Sequence, residues 1–203
     1  MKTSGLALLL LITLVLSRAL PAFATTVIAP EFDQLVAQAD YVVRAKVTAV
    51  TSEWREEKGQ RHIFTYVALE VTEVIAGTPP QPLVLELLGG RVGDDEMRID
   101  GTPQFAVGDQ DILFVHGNGR QAFPLVALMH GRYPVKQDAM SGREYMARSN
   151  GAALYDTQEV AQPMRAPGAV RAATAPGEPL SPAAFAAKIR GAFSASHAQQ
   201  SKN

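Results

Sequence analysis

Along residues 41–50, hydrophobic and polar positions alternate. Tyr41, Val43, Ala45, Val47 and Ala49 share one parity, and Arg44, Lys46 and Thr48 share the other. A period of two predicts a strand with one buried face and one wet face. The polar run 51–61, with Trp54 amid Glu53, Arg55, Glu56, Glu57 and Lys58, reads as a hairpin loop. Residues 62–75 resume the alternation, with Ile63, Val67, Leu69 and Val71 inward and Phe64 and Tyr66 on the other face. They stop at Gly77-Thr78-Pro79-Pro80. Further strands are predicted at 83–88, at 111–116, and at 123–130, where Pro124 weakens the start. A last hairpin pairs 132–135 with 143–147.

Helical periodicity appears only at the two ends. Residues 30–39 place Phe32, Leu35, Val36 and Ala39 on one face, and Glu31 and Asp33 fall in the first turn, where negative charge suits the helix dipole. In 181–194, Ser181 fits the N-cap and Pro182 the first helical position. Phe185, Ile189 and Phe193 then form a stripe that predicts docking on the strands. The Pro/Ala/Gly-rich stretch 156–180 reads as a linker and 195–203 as a frayed polar tail. The domain proper is 25–155, and the fold class is mainly β: a small antiparallel OB-like β-barrel with short N-terminal and C-terminal helices.

Residues 1–24 read as a signal peptide. Lys2 precedes an apolar run at 6–16, and Ala22-Phe23-Ala24 supplies the small-x-small cleavage pattern. The run is shorter than the about 20 residues that span a bilayer. The expectation is a periplasmic or secreted protein with no stable membrane anchor after cleavage.

Composition narrows the chemistry. The chain has 203 residues, a net charge of −1 and no cysteine. That excludes disulfide frameworks, thiolate zinc sites and cysteine nucleophiles. Near-neutral charge without a basic run argues against nucleic acid as partner. His62, His116, His130 and His197 form no compact ligand spacing, and His116 and His130 read as surface residues at strand ends. Asp94-Asp95-Glu96, with Asp100 near, lacks calcium-loop spacing and reads as a solvated acidic loop. No G-x-S-x-G occurs. Gly89-Gly90-Arg91-Val92-Gly93 precedes no helix, so it marks a turn or bulge with positive φ. No catalytic residue, metal or cofactor is expected. Trp54 has two readings: an anchor for a partner, or a ring folded back to cap an open barrel end.

Several phrases resemble netrin-like modules, the OB-fold class that includes tissue inhibitors of metalloproteinases. They are Ala39-Asp40-Tyr41-Val42-Val43-Arg44-Ala45-Lys46-Val47, the long strand from Thr65 to Gly77, and Val107-Gly108-Asp109-Gln110-Asp111-Ile112-Leu113-Phe114-Val115. The spacing of Gly89-Gly90-Arg91-Val92-Gly93 and Gly101-Thr102-Pro103-Gln104-Phe105 is similar to that in exported bacterial proteins of this type, which the resemblance sets beside secreted matrixin-like peptidases. The likeness covers about residues 31–150. It implies an OB fold and a binding role toward an extracytoplasmic protein, with a secreted metallopeptidase as candidate partner. Inhibitors of that class chelate zinc through an N-terminal cysteine. Here the mature chain would start Thr25-Thr26, so the chelating residue is not carried over.

The expected function is therefore a non-enzymatic protein-binding module. Its contacts are placed on Thr25, Thr26, Trp54, Arg55, Arg91, Asp94 and Asp95. The competing expectation is a periplasmic small-molecule- or metal-binding β-barrel using its interior or the 94–100 loop.

Overall fold

The computed structural model describes residues 28–57, 59–164 and 177–200. The expected signal segment 1–24, Thr25, Thr26, residues 165–176 of the expected linker, the His197 side chain and the last three residues of the tail lie outside the described residues. Helix α1 (Phe32–Gln38) opens with a capping box in which Glu31 and Gln34 bond each other's backbone. Strands β1 (Tyr41–Glu57) and β2 (Gln60–Gly77) form one long hairpin, followed by β3 (Leu83–Leu88). A small separate hairpin joins β4 (Gly90–Val92) to β5 (Asp95–Met97). Then come β6 (Gln110–Val115), β7 (Arg132–Gln137), β8 (Glu144–Met146) and helix α2 (Pro182–Gln200).

The main sheet is antiparallel, with order β3-β2-β1-β6-β7-β8, and its two edge strands do not pair with each other. Two cores lie on its two faces. On one, Phe185 and Ile189 of α2 and Leu35 and Val36 of α1 pack on Val42, Ile112, Phe114 and Tyr133. Ring centroids stand 5.0 Å apart for Tyr133–Phe185 and 5.6 Å for Phe114–Tyr133. The other face holds Val43, Ala45, Val47, Val67, Leu69, Leu83, Leu85, Leu87, Leu113 and Val115. Among the described residues no helix contributes to that cluster, which strand residues form with Leu125 and the partly buried Phe105. Three register irregularities in β1, between Val42 and Ala49, supply the extra twist. The segment after β6 lies across the gap to β3. Leu125 bridges to Val115, the Leu88 amide donates to Ala122 O, and Asn118 bonds both Val84 O and the Glu86 amide.

The predicted β3 is found with its expected bounds. Other expectations need correction. The run 51–61 is not a loop, because β1 and β2 stay paired out to Glu57↔Gln60 and Gly59 takes φ 77° at the connection. Cross-strand partners such as Glu56↔Arg61 hold this polar arm together without a core. Residues 123–130 are not a strand. Pro124 has no amide to donate, Ala127 and Leu128 are left-handed (φ 49° and 57°), and a 3-10 turn follows at Leu128–Gly131. Val42 is buried opposite Val43, so the start of β1 has no wet face. Within the stretch read as linker, Thr157–Ala161 forms a 3-10 turn whose Val160 joins the helix-side core. Helix α2 extends past the expected end at 194.

Candidate functional site

The distal half of the β1–β2 hairpin projects beyond the coiled core, and the β4–β5 hairpin folds over it as a flap. Side chains of Val50, Ser52 and Trp54 recur at steps of two and so share the face that carries the inner core. Their cross-strand partners are Val67, Thr65 and Ile63. The flap docks through Gly89 and Gly90. The Gly89 amide donates to Ile63 O at 2.7 Å, and Thr65 Oγ1 donates to Gly89 O at 2.7 Å and lies 2.9 Å from Ser52 Oγ. Gly90 has φ 136°, and a Cβ there would collide with Thr65 Oγ1 and stand 2.8 Å from Ser52 Oγ. The expected positive φ at the glycine pair is present, and close backbone approach is the second reason for it.

Between flap, arm and the 99–105 segment lies a cleft of about 240 Å³. Its apolar lining includes Val50, Leu87 and Phe105, and its polar lining includes Ser52, Thr65, Arg91, Glu96, Arg98 and Thr102. Its back wall hangs on Arg132. That guanidinium donates to Asp111 Oδ1 at 2.8 Å, to Asp109 Oδ2 at 2.7 Å and to Gln104 O, and it lies 4.3 Å from the Phe105 ring centroid. Burial pushes the Asp111 carboxyl above its ordinary value, and Arg132 pulls the other way.

The expected contact residues separate into two groups. Trp54 is 36% exposed, stands outside both core clusters, and packs against the Arg61 guanidinium at 4.8 Å. Arg91 lies on the flap, with Asp94 in its turn and Asp95 opening β5. All three are exposed. Arg55 points to the opposite face. It stacks 3.5 Å over Phe64, pairs with Glu86 at 2.8 Å and donates to Tyr66 Oη at 3.3 Å. It thereby covers Phe64, which is buried under a cation rather than under a helix.

Asp94 and Asp95 belong to a hairpin and not to an irregular loop, a correction that follows from the tight Gly93 turn at φ 61°. The two strand-end histidines also differ from each other. His116 is half-buried and stands 3.2 Å from Asp40 Oδ1. His130 is buried, contrary to the surface expectation, because the 3-10 turn folds it inward. Burial pushes its pKa down, and nearby Arg148 adds to the effect. Among the described residues, no three His, Asp or Glu side chains group as metal ligands would.

The sequence reading assigned Thr65 and Arg132 no role in a site, weighed Glu96 only within an acidic cluster, and noted the 102–105 segment only as part of a resemblance. Adjacent glycines were the available signal, since a close backbone approach requires a surface to approach. Comparison with protein-family models and with curated protein sequences finds no significant match.

Proposed function

We propose that the chain is an exported, non-enzymatic protein-binding module. Its partner is an extracytoplasmic protein, with a secreted metallopeptidase as the leading candidate on the netrin-like resemblance. The coiled sheet, its gap spanned by the 116–126 segment, is read as a partly open OB-like barrel. The observation that carries the proposal is the polar two-stranded arm with its exposed Trp54 beside the flap cleft. An isolated two-stranded hairpin is marginal in water, and exposed Trp beside Arg has the composition of an interface anchor.

The cleft lacks the elements of a reaction centre. Among the described residues no histidine lines it, its one carboxylate is Glu96 held by two arginines, and the Ser52 and Thr65 hydroxyls bond each other and a carbonyl rather than a base. The inner face is filled by apolar side chains, which disfavours the small-molecule barrel.

Affinity capture from the secreted fraction of the producing cell tests this, using the mature protein, Trp54→Ala, and a form shortened by residues 53–62. A protein retained by the first and lost from the other two supports the proposal. Identical recovery by all three places the surface elsewhere, and retention of nothing by any form rejects a binding module.

A further inference from the structure

At the rim of the cleft, one carboxylate is shared between two guanidiniums. Arg91 Nη2 donates to Glu96 Oε2 at 2.7 Å, and Arg98 Nη2 donates to Glu96 Oε1 at 3.0 Å. The arrangement is a ready-made carboxylate receptor, because a guanidinium presents its donors in a planar fork that matches two carboxylate oxygens. Its present occupant is held weakly. The side chains are 38% exposed for Glu96, 65% for Arg91 and 74% for Arg98, so solvent screens the attraction.

Behind this rim, Val50, Leu87 and Phe105 offer an apolar wall, and the Thr102 hydroxyl is buried with no hydrogen-bond partner. A buried hydroxyl without a partner is an unmet demand for a polar ligand group. The volume, about 240 Å³, falls below the about 300–1,000 Å³ of sites built for small molecules. A single inserted side chain suits it better than a cofactor. Trp54 continues the same strand face two residues beyond Ser52, so a chain anchored in the cleft would run along β1 over the indole.

We infer that the cleft takes an aspartate or glutamate side chain of an extended peptide, whose carboxylate replaces Glu96 between Arg91 and Arg98. Glu96 is then an internal competitor that keeps the two arginines paired until an acidic segment arrives. The inference rests on the protein-binding reading and adds the chemistry of the partner segment: acidic, extended, and followed by residues able to lie against Trp54.

The test uses the mature protein with acetyl-Ala-Glu-Ala-amide, its Gln counterpart, and free glutarate as probes, followed by Trp54 fluorescence and the amide resonances of Gly89, Gly90 and Thr102. The Glu tripeptide is expected to shift these signals saturably and the Gln tripeptide to leave them unmoved. Glu96→Gln removes the competitor and should tighten binding of the Glu tripeptide severalfold, because both arginines are then free to pair with the incoming carboxylate. The Arg91→Gln/Arg98→Gln double variant should abolish the response, with circular dichroism confirming its fold.

Equal binding of the Glu and Gln tripeptides overturns the inference, as does unchanged affinity in Glu96→Gln. Glutarate binding as tightly as the tripeptide would assign the cleft to free acids and reject the peptide. Failure here is distinct from failure of the module reading: a captured partner with no tripeptide response sinks only the carboxylate receptor.

Discussion

Removing Arg132 tests how the cleft wall is held. Its side chain is 9% exposed and that of Asp111 1%, so the pair is desolvated on both sides. An exposed ion pair is worth about 0–1 kcal/mol, whereas stripping one partner from a buried pair costs about 3–5 kcal/mol, because the remaining charge is left uncompensated. Arg132→Met should therefore destabilise by about 3–5 kcal/mol. With a urea slope of about 2 kcal/mol/M, the midpoint falls by about 2 M. Arg132→Met/Asp111→Leu removes both charges and should recover at least about half the loss, because apolar replacements of a buried pair are often near neutral. The acid side adds a signed check. Burial raises the folded pKa of Asp111, and loss of the cation raises it further, so the folded state binds its proton more tightly than the unfolded state. The deficit of Arg132→Met should shrink as pH falls from neutral through that folded value. Urea unfolding followed by circular dichroism measures all of this. A single-variant loss under about 1 kcal/mol, or a double variant no better than the single, would refute the reasoning.

Gly90→Ala forces a Cβ onto Thr65 at a positive φ, so a strain of about 1–3 kcal/mol should open the flap, seen as faster hydrogen exchange at the Gly89 amide while β6 is unchanged. Phe185→Ala empties the centre of the ring cluster that seats α2 and should cost about 3–5 kcal/mol in thermal or urea unfolding. His130 titrates with a depressed folded pKa, so the unfolded state takes the proton first. Stability should therefore decline as pH falls below about 6.5, the ordinary histidine value, until the folded state also protonates. His130→Asn should flatten that slope, and an unchanged slope would assign it to another group.

The elements that the sequence made legible are those whose side chains meet a core. Leu83, Leu85 and Leu87 alternate with Val84, Glu86 and Leu88, and β3 lies where that pattern puts it. The stripe Phe185, Ile189, Phe193 likewise reports a helix packed on one side. The arm was illegible because residues 53–57 have no apolar face to betray a strand. Their extended state comes from a ladder to residues 60–64, and composition alone makes a charged ladder look like a loop. Residues 111–115 are buried on both faces, so the continuous apolar run 112–115 carries no alternation to orient it. The Asp111–Arg132 pair joins positions 21 apart whose neighbours say nothing of each other. The candidate site was half legible. Arg91 lines the cleft and Asp94 and Asp95 lie on the same hairpin, but the cleft depends on Gly89 and Gly90 letting the flap descend on Ser52 and Thr65.

The account depends most on the arm and flap being where a second protein sits. Hydrogen exchange of the mature chain, alone and bound to the captured partner, measures this directly. Slowed exchange concentrated in residues 51–65 and 89–105 is the predicted result. Protection confined to the face of α1 and α2, with arm and flap exchanging as they do alone, would contradict it.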